Sequence, residues 1–393
     1  MSVGLVPAAQ NPSLDYAQWR GPQRDGGAAG FVKPQRWPAQ LQRRWRVDVG
    51  EGYGTPLLVG DMAYVFARRA DNEVMMALRA GTGDIVWQTP YAAPFSPAYN
   101  ARAHGAGPKA TPLFHNGKLY ALGINGTFTA FDPATGRILW QKLASAPQPE
   151  YGAASSPIGD QGLVMVHPGA YGPLTAFDAT TGELRWRGGD DGVFASPIIA
   201  ELAGTRQLVT VTQRNIAGLS LSDGKVLWQF RWPRDIAAIT PVQFGDLVIV
   251  GSQNESVKAL KVTRRGGGFS VALGWESQDI GLYMSNPVVM GGVLFGLSRR
   301  ASGQLFALDA ATGATLWLGP PRQGTQAAVV KADGLLFLLG EDGELTVATG
   351  GRSGIEPTTR YTVSTSAVWA QPAISGNRML VKDTSALTLW TID

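Results

Sequence analysis

The chain has 393 residues and a formal net charge of +4, and it contains no cysteine. The missing cysteines exclude disulfides, thiolate metal sites and cysteine nucleophiles. The basic residues are scattered apart from the runs Arg43-Arg44-Trp45-Arg46 and Arg264-Arg265, so no nucleic-acid-binding face is expected. No apolar run reaches the ~18 residues of a transmembrane helix.

The first 42 residues are rich in proline, glycine, alanine and glutamine. We expect an irregular segment there, followed by a single domain over residues 43–393. Residues 2–10, SVGLVPAAQ, resemble the tail of a secretory signal peptide; a disordered tail is the alternative. Trp19-Arg20-Gly21-Pro22 and Arg24-Asp25-Gly26 form a turn-rich motif, and Trp19 and Trp37 are expected to anchor it over the side or mouth of the domain.

An eleven-residue pattern occurs five times, with a small residue first, a glycine seventh and a tryptophan eleventh. At both ends of the pattern, apolar and outward-facing residues alternate as they do in β-strands. Its centre holds residues typical of tight turns, where Gly adopts positive φ without a Cβ clash. Each copy therefore predicts a β-hairpin. The copies are Ala77 to Trp87, Ala130 to Trp140, Ala176 to Trp186, Gly218 to Trp228 and Ala307 to Trp317.

A single hairpin is marginally stable in water. Burying a tryptophan removes roughly 150–250 Å² of surface, or about 4–6 kcal/mol before entropy is subtracted. Each indole is therefore expected to dock on the next hairpin, with room left by the small first residue and the seventh-place glycine.

Each repeat is predicted to begin with an innermost strand that contains a proline, and a second strand follows a glycine turn. Repeat five has a longer turn at Arg264 to Gly268 before Trp275, and repeat seven lacks the tryptophan, its fourth strand being predicted at Thr359 to Val363. The predicted strand starts are Gly54-Thr55-Pro56, Ala110-Thr111-Pro112, Ser155-Ser156-Pro157, Ala195-Ser196-Pro197, Ile239-Thr240-Pro241, Ser285-Asn286-Pro287, Thr325-Gln326-Ala327 and Ala370-Gln371-Pro372.

The two ends of the domain complement one another. Trp45 to Gly50 reads as one strand without local partners, whereas Ala370 to Ile374, Arg378 to Asp383 and Ala386 to Trp390 read as three strands lacking a fourth. Pairing them would close a ring and remove open sheet edges. The predicted fold is an all-β, eight-bladed β-propeller of four-stranded antiparallel blades. Seven blades remain the alternative if the seventh repeat or the split eighth does not form.

The eleven-residue motif resembles the tryptophan-docking motif of pyrroloquinoline quinone (PQQ) repeat propellers. The resemblance extends from about Trp19 to the C-terminus, and the Trp19 to Gly26 motif is similar to the opening of one branch of these proteins. The resemblance implies a propeller and export to the periplasm or secretion. The class includes quinoprotein dehydrogenases and a non-enzymatic propeller lipoprotein of outer-membrane assembly.

Loops that join one blade to the next should gather on one face, where a shared mouth is the default binding site. Tyr53, Phe194 and Trp369 are expected to stack on a flat ligand there, and Lys109 to meet an anionic group. The alternative is that these side chains plug the channel and bond one another. The candidates, chosen as residues just before each proline, are Tyr53, Lys109, Ser155, Phe194, Asn286, Gln326, Trp369 and Gln371.

In the dehydrogenases of this class, the resemblance implies PQQ stacked on a channel tryptophan under a disulfide, with calcium held by Glu, Asn and Asp. Trp369 and Asn286 match by residue type alone, and the disulfide is excluded. Asp190, Asp191 and Asp235 fall in mouth loops and are expected to be solvated turn residues. His104, His115 and His167 lack metal-like spacing, and no G-x-S-x-G elbow is present.

We therefore expect a non-catalytic, monomeric binding or scaffold protein with no metal site and no required cofactor. A protein partner or a small ligand would bind at the channel mouth. A quinoprotein oxidoreductase that uses PQQ with calcium on an alcohol or sugar is the alternative.

Overall fold

The computed structural model describes residues 14–144, 150–168, 172–192, 194–232 and 238–392. Within these ranges the chain forms eight four-stranded antiparallel sheets arranged as the blades of a propeller. Two short 3-10 helices, Tyr99–His104 and Arg300–Ser302, lie in connections between strands. No helix in the described ranges has the length and apolar character needed to cross a membrane.

The strands follow the chain from blade to blade. In order they are β1 (Gln42–Asp48) of blade 8; β2 (Leu57–Val59), β3 (Met62–Arg69), β4 (Asn72–Arg79) and β5 (Ile85–Ala92) of blade 1; β6 (Leu113–His115), β7 (Lys118–Leu122), β8 (Phe128–Phe131) and β9 (Ile138–Lys142) of blade 2; β10 (Ile158–Asp160), β11 (Leu163–Val166), β12 (Pro173–Asp178) and β13 (Leu184–Asp191) of blade 3; and β14 (Ile198–Leu202), β15 (Thr205–Val211), β16 (Asn215–Leu219) and β17 (Val226–Arg231) of blade 4. They continue with β18 (Val242–Phe244), β19 (Leu247–Val250), β20 (Ser256–Arg265) and β21 (Gly268–Gly281) of blade 5; β22 (Val288–Met290), β23 (Val293–Ser298), β24 (Gln304–Asp309) and β25 (Thr315–Leu318) of blade 6; β26 (Ala327–Ala332), β27 (Leu335–Gly340), β28 (Glu344–Gly351) and β29 (Gly354–Thr362) of blade 7; and β30 (Ala373–Ser375), β31 (Arg378–Lys382) and β32 (Ala386–Thr391), which complete blade 8.

The eleven-residue motif forms the hairpin between the third and fourth strands of a blade. In blade 3, Asp178 Oδ1 accepts hydrogen bonds from the amides of Thr180 and Thr181, both at 2.9 Å. Gly182 follows with φ +72°, a conformation that glycine adopts without strain. These hydrogen bonds satisfy main-chain amides of the turn within the turn itself, as the sequence predicts.

The tryptophan at the end of the motif lies against the next blade. The indole Nε1 of Trp140 donates to the Ala179 carbonyl at 3.3 Å, and a Cβ added to Gly182 would lie 2.7 Å from the ring. Trp45 makes the same pair of contacts with Ala80 (2.8 Å) and Gly83. Trp87, Trp186 and Trp275 donate in turn to the carbonyls of Pro133, Leu221 and Ala310, at 2.9, 3.1 and 3.1 Å.

Two tryptophans of the motif differ. Trp228 Nε1 donates to Gln207 Oε1 of its own blade at 2.5 Å, since the long β20–β21 hairpin of the next blade has no motif turn to receive it. Trp317 lies over Gly354, where an added Cβ would be 3.0 Å from its ring. Gly354 opens β29, which begins five residues before the strand start predicted at Thr359.

The two chain ends close the ring, as the sequence predicts. β1 pairs antiparallel with β32, and Trp45 lies opposite Leu389. The paired strand spans Gln42–Asp48, slightly earlier than the predicted 45–50. Arg46 Nη1 lies 2.5 Å from Asp383 Oδ2 across the junction. Eight blades are confirmed, and the seven-blade alternative is wrong.

In the seven blades that have the proline, the innermost strand begins directly after it rather than including it, as β2 does after Pro56. The residue before the proline instead links neighbouring blades. Thr111 Oγ1 accepts from the Thr55 amide at 2.9 Å, and Ser156 Oγ accepts from the Thr111 amide at 3.0 Å. Ser196 and Asn286 continue this inner belt by accepting from the amides of Ser156 and Thr240, at 2.9 and 2.8 Å.

The N-terminal segment, residues 14–31, fills part of the channel inside this belt. Tyr16 exchanges main-chain hydrogen bonds with Leu58 of blade 1 at 2.8 and 3.1 Å. At its other end, the Ala28 and Ala29 amides donate to Lys331 of blade 7 and Ile374 of blade 8. The segment therefore bridges several inner strands. Trp37 lies farther out and packs edge-on against Phe337 at 6.3 Å between ring centroids.

Trp140→Ala and Trp186→Ala should each lower the free energy of unfolding by about 3–5 kcal/mol, because each removes a buried ring and its bond to the next blade. Urea and thermal denaturation would measure the loss. Leu143→Ala is the control, since Leu143 is 79% exposed at the edge of the same blade as Trp140. Melting curves equal to that of the control would contradict the contact.

Candidate functional site

A cavity of about 500 Å³ opens at the mouth of the channel. Its lining combines the inner belt, the residues just above it and the N-terminal segment. Of the eight sequence candidates, six line it: Tyr53, Lys109, Phe194, Asn286, Gln326 and Trp369.

Two candidates lie outside this lining. Ser155 is 2% exposed and stands two residues before its proline; because side chains alternate along extended chain, that position faces away from the channel. Ser156, one residue on, lines the cavity instead. Gln371 is 4% exposed and lines a small adjoining space of about 40 Å³ that shares Trp19 and Trp369 with the cavity.

One wall of the cavity is a cluster of three rings. Trp369 lies 4.8 Å from Tyr53 and 4.6 Å from His104 between ring centroids. The Tyr53 hydroxyl donates to the His104 carbonyl. Burial and the charge of Glu51 raise the pKa of Tyr53, while burial and the charge of Lys109 lower the pKa of His104. Both rings are therefore neutral at pH 7.

The facing wall combines two further rings with a cation. Tyr151 and Phe194 meet edge to face at 6.0 Å between ring centroids. Lys109 Nζ donates to the Tyr151 carbonyl at 2.6 Å, and burial lowers the pKa of Lys109. A carbonyl leaves two of the three ammonium donors of Lys109 for another acceptor.

Trp19 supplies part of the lining from the N-terminal segment. Its Nε1 donates to Thr240 Oγ1 of the inner belt at 2.8 Å. The sequence pattern predicts an anchoring role for Trp19 but not its place inside the channel. Ala101 and His104 line the cavity from the 3-10 helix Tyr99–His104, which also carries no repeat signature.

No aspartate or glutamate is among the described residues that line the cavity. Asp190 and Asp191 are exposed, and Asp190 accepts a hydrogen bond from Asn215; Asp235 lies outside the described residues. His167 is buried between the Gly172 carbonyl and Thr210. No group of three or more His, Cys, Asp or Glu residues able to hold a metal occurs in the described ranges.

A buried carboxylate, that of Glu73, bonds blade 1 to blade 2. Glu73, 0% exposed, accepts from the Ile124 amide at 2.6 Å and from the Tyr91 hydroxyl at 2.8 Å. Arg68 donates to the Ala93 carbonyl at 2.9 Å, at the start of the connection that carries His104. Burial raises the pKa of Glu73 to about 7, although its two hydrogen bonds and Arg68 act in the opposite direction.

Comparison with known proteins identifies the family. The family model described as outer membrane protein assembly factor BamB matches residues 71–319. None of the curated proteins matches the chain significantly.

Three solved structures share the fold at low sequence identity. BamB from Moraxella catarrhalis is 16% identical with a TM-score of 0.66, over 90% of this chain and 98% of that one. Quinohemoprotein alcohol dehydrogenase from Comamonas testosteroni is 16% identical with a TM-score of 0.68, over 98% and 81%. The computationally designed Ika8 protein is 12% identical with a TM-score of 0.65, over 89% and 100%.

Glu73 should make stability depend on pH. Its pKa is raised from 4.5 to about 7 on folding, so the folded chain binds the extra proton between these values. The stabilisation of the folded chain by this proton is therefore complete below about pH 4.5 and is lost as the pH rises through about 7. Glu73→Gln keeps an acceptor for the Ile124 amide without titrating.

We therefore expect the difference in melting temperature, Glu73→Gln minus the unchanged chain, to increase from pH 5 to pH 8, because only the unchanged chain loses stability at this site. The corresponding free-energy difference is on the order of 2–3 kcal/mol. Thermal melts of both chains across this range would measure it, and the comparison cancels every other titrating group. A difference that does not change with pH would contradict the buried titration.

Proposed function

Because the chain belongs to the family described as outer membrane protein assembly factor BamB, we propose that it is a non-catalytic binding propeller. Its binding site is the cavity at the channel mouth. The observation that carries this proposal is the lining itself, in which two aromatic walls and Lys109 surround about 500 Å³ of space.

The lining favours a flat, anionic small molecule. The volume falls within the roughly 300–1,000 Å³ of small-molecule sites. Tyr53 and Trp369 on one side and Phe194 on the other offer ring faces and edges for stacking. Lys109 stands among them as a half-buried cation with free donors, and the described lining residues place no carboxylate beside it. Partial burial of Lys109 strengthens its attraction to an anion relative to bulk water.

The same lining offers little for catalysis. A general acid or base must lie within reach of its proton and have a pKa near the working pH. Burial moves the pKa of Tyr53 up and that of His104 down, away from neutrality. A quinoprotein site needs calcium, which takes 6–8 oxygen ligands, carboxylates among them. The described lining offers neutral amides such as Asn286 and Gln326 instead, so the residues do not fit a calcium–PQQ site.

The remaining features of the proposal follow the family. We place the chain outside the cytoplasm, in the periplasm or secreted, as a monomer that requires no cofactor. The description of the family as an outer-membrane assembly factor supports this location. Fractionation of the native cells would test it, and recovery with cytoplasmic markers would contradict it.

Calorimetry with 2,6-naphthalenedicarboxylate and its neutral diamide would test the ligand class. The dicarboxylate is expected to bind and the diamide to bind more weakly, because Lys109 meets the anionic group. Trp369→Ala should weaken binding, and Lys109→Gln should weaken it about tenfold, the loss of one charge-assisted hydrogen bond.

Lys225→Gln is the matched control, since the Lys225 side chain is 81% exposed at a hairpin turn. Equal affinity of the two compounds, or equal effects of the two lysine substitutions, would contradict an anion-selective cavity. Binding of polypeptides without any binding of small aromatic anions would favour a scaffold role for the mouth.

Addition of PQQ with and without calcium would test the enzyme alternative. PQQ is itself flat and anionic, so any binding is expected to be independent of calcium and to support no dye reduction with alcohols or sugars. Calcium-dependent binding followed by substrate-dependent dye reduction would instead establish a quinoprotein oxidoreductase. The melting temperature reports binding in both cases.

A further inference from the structure

Two arginines of the N-terminal segment lie inside the channel with almost no exposed surface. Arg20 is 0% and Arg24 is 3% exposed. Arg20 Nη2 donates to the Pro287 carbonyl at 2.6 Å. Arg24 Nη1 and Nη2 donate to the carbonyls of Pro157 and Ser156 at 2.8 and 3.0 Å. Carbonyl oxygens carry partial charges only, so these bonds do not neutralise the charge of either guanidinium group.

Carboxylates are scarce around these two cations. Asp25 acts electrostatically on Arg20, but its Oδ2 already lies 2.7 Å from Lys331 Nζ. Burial and the charge of Arg20 lower the pKa of Arg24 to about 9, which leaves it protonated at neutral pH. Three cations thus share one carboxylate in the described part of the channel. Because an uncompensated buried charge destabilises the folded chain, this arrangement favours the binding of an anion.

Unused donors remain on both guanidinium groups. Arg20 Nη1, Arg24 Nε and the Tyr16 hydroxyl are buried and have no acceptor among the described residues. The other nitrogens are occupied, since Arg20 Nε donates to the Arg24 carbonyl at 3.4 Å and Arg24 Nη1 also approaches Gln18 Oε1 at 3.3 Å. Each arginine therefore has one nitrogen without any acceptor, and its Nη2, which bonds one carbonyl, keeps a second N–H.

The position of the unbonded nitrogens favours one class of anion. Phosphate and carboxylate groups are bound best by two parallel N–H groups of one guanidinium, and on each arginine such a pair would have to include Nη2, which already donates to a main-chain carbonyl. A monatomic anion accepts single hydrogen bonds from several directions and suits this set.

We propose that a halide ion, such as chloride, binds in the channel between Arg20 and Arg24. Arg20 Nη1 and Arg24 Nε donate to it, with the Tyr16 hydroxyl as a third donor. The ion balances the charge of the N-terminal segment and fixes it inside the ring. This site is distinct from the aromatic cavity and does not depend on what that cavity binds.

Bromide in crystals of the full chain locates the site directly. Diffraction measured at the bromine absorption edge is expected to show an anomalous peak within about 3.5 Å of Arg20 Nη1 or Arg24 Nε. Peaks confined to exposed residues such as Arg44 would overturn the proposal.

Thermal melts in sodium chloride and in sodium gluconate at equal ionic strength test the site in solution. The melting temperature should rise by about 1–2 °C for each tenfold increase of chloride above its Kd. The chloride-specific rise should persist in Arg44→Gln, whose side chain is exposed, shrink in Tyr16→Phe and vanish in Arg24→Gln. Equal melting temperatures of the unchanged chain in the two salts, or an equal chloride effect in all four chains, would overturn the proposal. If Arg24→Gln does not fold, the Tyr16→Phe comparison and the bromide map decide.

Discussion

The contact between the tryptophan of one blade and the hairpin turn of the next is the interaction on which the ring depends. A buried indole needs an acceptor for its N–H, and the turn leaves a main-chain carbonyl free at the fourth position of the motif, as Ala179 does for Trp140. The seventh position must then be glycine, both for its positive φ and because a Cβ on Gly182 would touch the ring. The fixed glycine and tryptophan of the motif are thus the two sides of one contact.

A ring built this way leaves a central channel that must also be filled. The inner belt fills its margin by joining blades 1 to 4 in turn, and blade 5 to blade 6, through hydroxyl and amide side chains such as those of Thr111 and Ser156. The N-terminal segment fills the centre. It brings Trp19 to the cavity and buries Arg20 and Arg24 beside main-chain carbonyls. The N-terminal segment, which lies outside the repeats, therefore supplies one ring of the cavity lining and the excess of buried positive charge.

The sequence predicts the parts of this structure that repeat. Five copies of one motif establish the hairpins, and the incomplete strands at the two ends establish the closure at Trp45. The sequence predicts the residues of the mouth only approximately, because proximity to a proline does not define which way a side chain points. Alternation along the chain turns Ser155 away and brings Ser156 in. Trp19 has no counterpart among the repeats, and its bond to Thr240 spans 221 positions, so no local pattern reveals it.

Fold and binding are encoded at different positions of the same short stretch. The residue before each proline is Thr, Ser, Asn or Gln in every blade, including Gln326 in the blade where the proline is replaced, and in four blades this side chain accepts a bond of the inner belt. Two residues earlier no such bond constrains the side chain. That position holds Tyr53, Lys109, Phe194 and Trp369 in four blades and small or flexible residues in others. Since both positions face the channel, the ring can keep its belt while the lining changes freely. The repeat therefore specifies the propeller strongly and its ligand weakly, and the ligand class has to be argued from the few side chains that depart from the repeat.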